Sequence, residues 1–206
     1  MSWIAGLLVF SSSSEVRSSG TQILSNYTGN QDAVALQYVL TEGLPAGFLA
    51  VVTWSLARAL SERAILSRRL VLAGGLAAAT VSLVQLALGL WLSSGIVSSR
   101  DAGVAGAVSD SINRLDGVKM LLIAGVAVGA MRAVRRRYVA LPNWLGRVAA
   151  ALAVTITLSA IGYLALNDTF AAAAWVSLPC LLVFVTGTGI ALSQRNGHRR
   201  NALVGS

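Results

Sequence analysis

The 206-residue sequence predicts an all-α, polytopic transmembrane helix bundle, with five membrane spans and a sixth helix at the N-terminus. Three observations predict it. Hydrophobic residues make up 55% of the chain and charged residues 12%, too few to coat a soluble domain of this size. The apolar residues gather in long runs, each near the roughly 20 residues that cross about 30 Å of hydrocarbon. The basic residues fall in three arginine clusters between or just after these runs: Arg58/Arg63/Arg68/Arg69, Arg132/Arg135/Arg136/Arg137 and Arg195/Arg199/Arg200.

The N-terminal residues leave several readings open. Trp3–Phe10 is apolar but short, and Ser11–Ser14, Glu15 and Arg17 follow it. A signal peptide would want a basic start, which is missing. An interfacial helix, a flexible serine linker, or a spanning helix Trp3–Leu24 with its polar stripe turned inward are the other choices.

The five spans follow as Gly43–Leu60, Leu70–Leu92, Gly117–Val134, Pro142–Leu164 and Phe170–Ser193. Pro45 and Pro142 stand in or near first turns, where a missing N–H costs little. Pro179 is internal and is expected to kink its helix. Between the second and third spans, Ser93–Asn113 is rich in Ser, Gly, Ala and Asp and reads as a long connection with a short surface helix over Ala102–Ile112. Asn26-Tyr27-Thr28 and Asn167-Asp168-Thr169 match the glycosylation sequon and are read as chance, because the composition looks bacterial.

The arginine clusters follow the first, third and fifth spans, so those ends face the cytoplasm. Twelve basic residues fall on that side and only Arg17, Arg100, Arg114 and Lys119 on the other; Glu62 is the one acidic residue on the cytoplasmic side. The sequence therefore predicts a cytoplasmic-membrane protein with its C-terminus inside. The formal charge of +8 is accounted for by helix ends, which excludes a nucleic-acid-binding face. The single cysteine, Cys180, sits in an apolar run and reads as a small hydrophobe; the single histidine, His198, has no ligand partners nearby. No metal site, no cofactor and no catalytic motif is expected.

Several strings resemble an uncharacterised family of small bacterial membrane proteins, classed as a domain of unknown function. They are Trp3-Ile4-Ala5-Gly6-Leu7-Leu8, Asp32-Ala33 with Thr41-Glu42-Gly43, Leu141-Pro142-Asn143-Trp144-Leu145-Gly146 and Gly162-Tyr163-Leu164. The resemblance implies six helices, which favours the spanning choice for Trp3–Leu24. The serine run with Glu15 and Arg17 departs from that family, which is continuously apolar there. The resemblance implies no activity.

The arginines also serve as a depth ruler, at about 1.5 Å of rise per residue. Lys119 lies thirteen residues from Arg132, about 20 Å up its helix and still short of the outer surface. Glu42 lies sixteen from Arg58, Gln85 sixteen from Arg69 and Tyr163 sixteen from Arg147, about 24 Å in each case. Glu42, Gln85, Lys119 and Tyr163 are thus expected to share one layer near the outer face. Asp116 lies one turn above Lys119, on the same helix face. Lys119 is expected to pair with Glu42 or Asp116, since a charge in the membrane needs a partner.

Three readings compete for this layer. It registers the helices as an inert set of salt bridges and hydrogen bonds. It binds a small polar or amphiphilic, lipid-like ligand. Or Glu42 or Asp116 acts as a general acid on a lipid-like or isoprenoid substrate. A small-solute transporter or channel subunit is the alternative to a binding, sensory or accessory module. It ranks second because only Thr80, Ser82 and Thr155 could line a path further in.

Remaining motifs read as packing. Gly125-x-x-x-Gly129, Gly75-x-x-x-Ala79 and Gly187-x-Gly189 let helices approach inside the bundle. Thr155, Thr157 and Ser159 are expected to bond back to their own helix. Tyr27, Trp91 and Trp175 suit the outer interface and Trp144 the inner one, whereas Trp54, mid-span, is expected in the core. The bilayer is the one partner this sequence names; its oligomeric state is not legible.

Overall fold

A computed structural model describes residues 2–9 and 16–204, with side chains apart from 2–4, 7 and 195–204. Glu15 and the serine run lie outside the described residues, as do the side chains of Arg195, His198, Arg199 and Arg200. The described chain is helical throughout, with no strand. Its helices are α1 (Ser2–Val9), α2 (Gly20–Tyr27), α3 (Gln31–Ala59), α4 (Ile65–Ser99), α5 (Ala102–Arg135), α6 (Asn143–Leu164), the short α7 (Asp168–Ala171) and α8 (Ala174–Val204). Five segments are long and apolar enough to cross a membrane: α3, α4, α5, α6 and the stretch Asp168–Gln194.

These five close a ring. The central helix α5 packs against α4 and α6, α3 packs on α4, and α8 on α6 and back on α3. Small residues set the spacing. Ala57, Ala78, Ala127, Ala130, Ala133, Ala149 and Ala160 are buried in the main core, with Leu56, Leu145, Leu152 and Ile156 between them. Without a water-driven force between helices in lipid, close backbone approach and dispersion hold such a bundle. Gly75 receives Thr53, Gly129 meets the Ser67 carbonyl and Gly187 meets Trp144 and Leu145. Gly125 and Gly189 were expected in the same role, but nothing lies within 4 Å of where their Cβ atoms would be.

Two helices are far longer than a bilayer needs. At about 1.5 Å per residue, the 35 residues of α4 and the 34 of α5 run about 50 Å, some 20 Å beyond the hydrocarbon. The surplus lies at the end away from the arginines. The supposed connection Ser93–Asn113 is therefore mostly helix. It turns sharply at Arg100, whose backbone is left-handed (φ 55°), and restarts with Asp101 capping the Val104 N–H at 3.0 Å. Ala102–Ile112 is helical as expected, but continuous with the third span.

Around this surplus a second core forms from Ile23, Tyr27, Val34, Leu92, Ile96, Val97, Ala105, Val108 and Ile112. It joins α2, the start of α3, the end of α4 and the start of α5 into a cap. Tyr27 is buried in this cap, where the sequence had suggested an interfacial position.

The N-terminal helix is present but does not run from Trp3 to Leu24. Helix α1 ends at Val9, the chain turns at Val16–Arg17, and a new helix starts at Gly20 behind Ser19, whose hydroxyl accepts the Gln22 N–H. A serine able to cap competes well with helix continuation. Helix α1 lies against the middle of α3, with Gly6 beside Thr41.

Helix α3 begins twelve residues before the predicted Gly43, so Pro45 is internal to it. The chain widens into one π turn over Val39–Gly43, with the Leu44 N–H reaching back to the Val39 carbonyl. A proline ring collides with the carbonyl four residues earlier, and a wider turn relieves the clash. Trp54 is 46% exposed on the lipid side, not in the core, with the Arg58 guanidinium 4.7 Å over its ring. Thr155 and Thr157 do bond back to Ala151 and Ala153, while the buried Ser159 hydroxyl has no partner.

Candidate functional site

The π turn of α3 sets the site. It lies where α3 passes from cap to bundle, and it buries Glu42 in the ring. Helix α5 brings Lys119 to the same place from across the ring. Lys119 Nζ stands 2.7 Å from Glu42 Oε2 and 2.6 Å from Asp116 Oδ1. Asp116 and Lys119 are three residues apart and so share a helix face. The Lys119–Glu42 bond thus bridges α3 and α5, helices that face each other more than they touch.

Helix α4 adds two polar groups. Ser82 is buried on the side of α4 that faces the Glu42 carboxylate. One turn further on, Gln85 is fully buried and donates from Nε2 to the Ile112 carbonyl at 3.0 Å, while its Oε1 has no partner. Gln85 therefore ties α4 to α5 just on the cap side of the charges and does not touch them.

Two tyrosines flank the ion pairs. Tyr163 of α6 lies in the electrostatic field of Asp116, Lys119 and Asp168. Helix α6 comes this close because residue 117 is glycine: a Cβ there would stand 2.9 Å from the Ala160 carbonyl. Tyr38, one turn before Glu42, hydrogen-bonds Tyr27 of the cap and lies in the field of Asp116 and Glu42. Its ring fills the space that a side chain at Gly89 would occupy.

Above this level the chain before α2 crosses the ring. The Val16 N–H donates to Asp168 Oδ1 at 3.0 Å, and Asn113 Nδ2 donates to the Val16 carbonyl at 3.0 Å. Asn113 lies one turn from Asp116, and Asp168 is the acid near Tyr163. This crossing segment roofs the charged layer from the cap side.

The structure thus brings Glu42, Asp116 and Lys119 into contact, sets Tyr163 beside them and places Gln85 one turn away. Sequence reasoning passed over Tyr38, Asn113 and Asp168 and weighed Ser82 only as a path residue. Tyr38 falls four residues from Glu42, and Ser82 three from Gln85, the spacing of a shared helix face. Asn113 falls three residues from Asp116 and carried the same signal, whereas Asp168 carried none, since its partner is the Val16 backbone.

Electrostatically, two carboxylates share one ammonium, which leaves one formal negative charge in excess. The side chains of Glu42 and Lys119 are 10% and 13% exposed and Asp116 23%, so Asp116 is the most open of the three. Among the described residues no group of three or more His, Cys, Asp or Glu could hold a metal ion. Compared with known proteins, the chain matches no family model, no curated protein and no solved structure.

Proposed function

We propose that the protein is a non-enzymatic, multi-pass protein of the cytoplasmic membrane that binds a small cationic head group at Asp116–Lys119–Glu42. The C-terminus lies in the cytoplasm, so the cap faces outward. The observation that carries this reading is the charge imbalance. With both carboxylates ionised the excess charge is too costly to stay unbalanced, and a cation bound at the cluster would balance it. Asp116 is the point of contact, because it is the most accessible carboxylate and faces the two tyrosines. Tyrosine faces and hydroxyls suit an ammonium or quaternary ammonium group. A bearer with a short apolar tail, a small amphiphile, suits the half-lipid surroundings. The six-helix bacterial family that the sequence resembles is carried forward on the same footing.

The arrangement gives less support to transport or catalysis. On the arginine side of the layer the core is mostly alanine, valine, leucine and isoleucine, with Thr53, Ser67 and Thr188 as its few buried polar groups. The Glu42 carboxylate is already held by Lys119, which leaves it poorly placed to hand a proton to a substrate.

Thermal unfolding in detergent tests the reading, with choline and ethanolamine as probes and uncharged ethylene glycol as control. The cations should raise the melting temperature by a few degrees, as expected for a ligand that binds only the folded state. Ethylene glycol should not, and Asp116→Asn should remove the difference. No shift with either cation, or an equal shift in Asp116→Asn, would overturn the proposal.

A further inference from the structure

A second site emerges at the other end of the molecule, and it stands apart from the reading of Glu42 and Asp116. The chain reverses twice there. The α3–α4 loop carries Ser61, Glu62 and Arg63; the α5–α6 loop carries Arg136, Arg137 and Tyr138. The two loops are tied together: the Ser61 N–H donates to the Tyr138 carbonyl at 3.0 Å. Each is also anchored from below. Leu60 and Ala64 on one side, and Val139 and Leu141 on the other, are buried in the main core.

The second loop is shaped by a C-terminal helix stop. The Tyr138 N–H reaches the Ala133 carbonyl at 2.8 Å and the Arg137 N–H the Val134 carbonyl at 3.0 Å, with Arg137 left-handed at φ 55°. This is the bond pattern of a Schellman stop, whose left-handed position glycine usually fills. The result is a fixed platform rather than two independent strands of loop. Arg63, Arg136 and Arg137 all stand within two residues of the bond that joins it, and all three are exposed.

The platform's charge is uncompensated. Nine described arginines lie at this end against one acid, Glu62. The only salt bridges among the described residues are those of Lys119. Orienting the chain requires positive charge near these helix ends, but it does not require the loops to be joined and seated. Guanidinium groups present paired N–H donors matched to phosphate oxygens. Depth selects the source of that phosphate. Arg58 stacks on Trp54, which is exposed on the lipid-facing side of α3, so the arginine end meets the bilayer at headgroup level.

We propose that the joined loops form a binding site for the phosphate of an anionic phospholipid headgroup, with Arg63, Arg136 and Arg137 as its contacts. Near an anionic membrane each such arginine contributes about a fivefold gain in affinity. The lipid therefore cross-links the α3–α4 and α5–α6 loops at headgroup level, adding to the hydrogen bond that already joins them.

Native mass spectrometry of the full chain, released from mixed bicelles of phosphatidylglycerol and phosphatidylcholine, reads the preference directly. The wild type should retain phosphatidylglycerol selectively. Arg137→Gly should lower that retention about fivefold, and Arg63→Gln with Arg137→Gly roughly twentyfold. Arg137→Gly also relieves a left-handed backbone, so it folds at least as well as the parent, and lost retention cannot be put down to unfolding. Arg114→Gln, near the cap, should leave retention unchanged. Equal retention of the two lipids by the wild type, or an undiminished preference in the double variant, would overturn the site. So would displacement of the lipid by excess inorganic phosphate, which would assign the platform to a free anion.

Discussion

The cap and the bundle share three helices, α3, α4 and α5, but are held by different physics. The cap core is made of large side chains, among them Ile23, Tyr27, Leu92, Ile96 and Ile112. In the bundle core alanine is the commonest residue, at nine of twenty-two buried positions, with larger residues spaced between them. In water, stability comes from removing apolar surface, so big aliphatic and aromatic groups are effective. In lipid that gain vanishes, and small residues that bring backbones together take over. The change in core composition falls at the π turn of α3, where Glu42, Lys119 and Asp116 meet. The ion pairs of Lys119 sit at this join of cap and bundle.

The largest expected effect follows from breaking that border. Lys119→Met leaves Glu42 and Asp116 buried together without a counter-ion. The loss should be about 3–5 kcal/mol, read from equilibrium unfolding in mixed micelles. An unchanged midpoint would remove the charge cluster from any structural role.

The cap is the next to break. Ile23 is fully buried in it, so Ile23→Ala should cost about 2–5 kcal/mol. The loss should be local. Hydrogen exchange should quicken in α2 and in the segment 31–38 while the amides of α6 keep their protection. Uniform loss across the protein would show that cap and bundle are one cooperative unit.

The bundle should respond to added bulk instead. Gly75 lies against Thr53, so Gly75→Val should force α3 from α4 and cost about 1–3 kcal/mol. The mildest change is Gly125→Ala. With nothing within 4 Å of the new Cβ, it should stabilise α5 by about 0.5–1 kcal/mol. Both are measurable by the same unfolding experiment, and opposite signs for the two glycines are the expected result.

These contrasts also explain what was legible in the sequence. The five spans were visible because a bilayer imposes length and hydropathy on every residue that crosses it. The arginine ruler placed Glu42 and Lys119 at similar depth because straight helices rise evenly, and in the structure the two side chains touch. The cap was not visible, because hydropathy falls equally when a helix leaves the membrane and when it ends. Ser93–Asn113 has the composition of a loop, yet Ala105, Val108 and Ile112 recur at helical spacing, a signal in the residues themselves. Trp54 was misplaced because mid-span position says nothing about which face is turned to lipid. Gly125 and Gly189 failed for the same reason: small residues permit close packing but do not choose the neighbour. The roof of Val16 between Asn113 and Asp168 had no sequence signature at all, being held through a backbone group.

The charges at the border latch α3 to α5. A double-mutant cycle with Lys119→Met and Glu42→Gln, followed by equilibrium unfolding in mixed micelles, measures that latch most directly. It should return a coupling energy of about 1–3 kcal/mol between the two positions. Strictly additive losses would mean that the 2.7 Å contact holds nothing together, and would contradict the account.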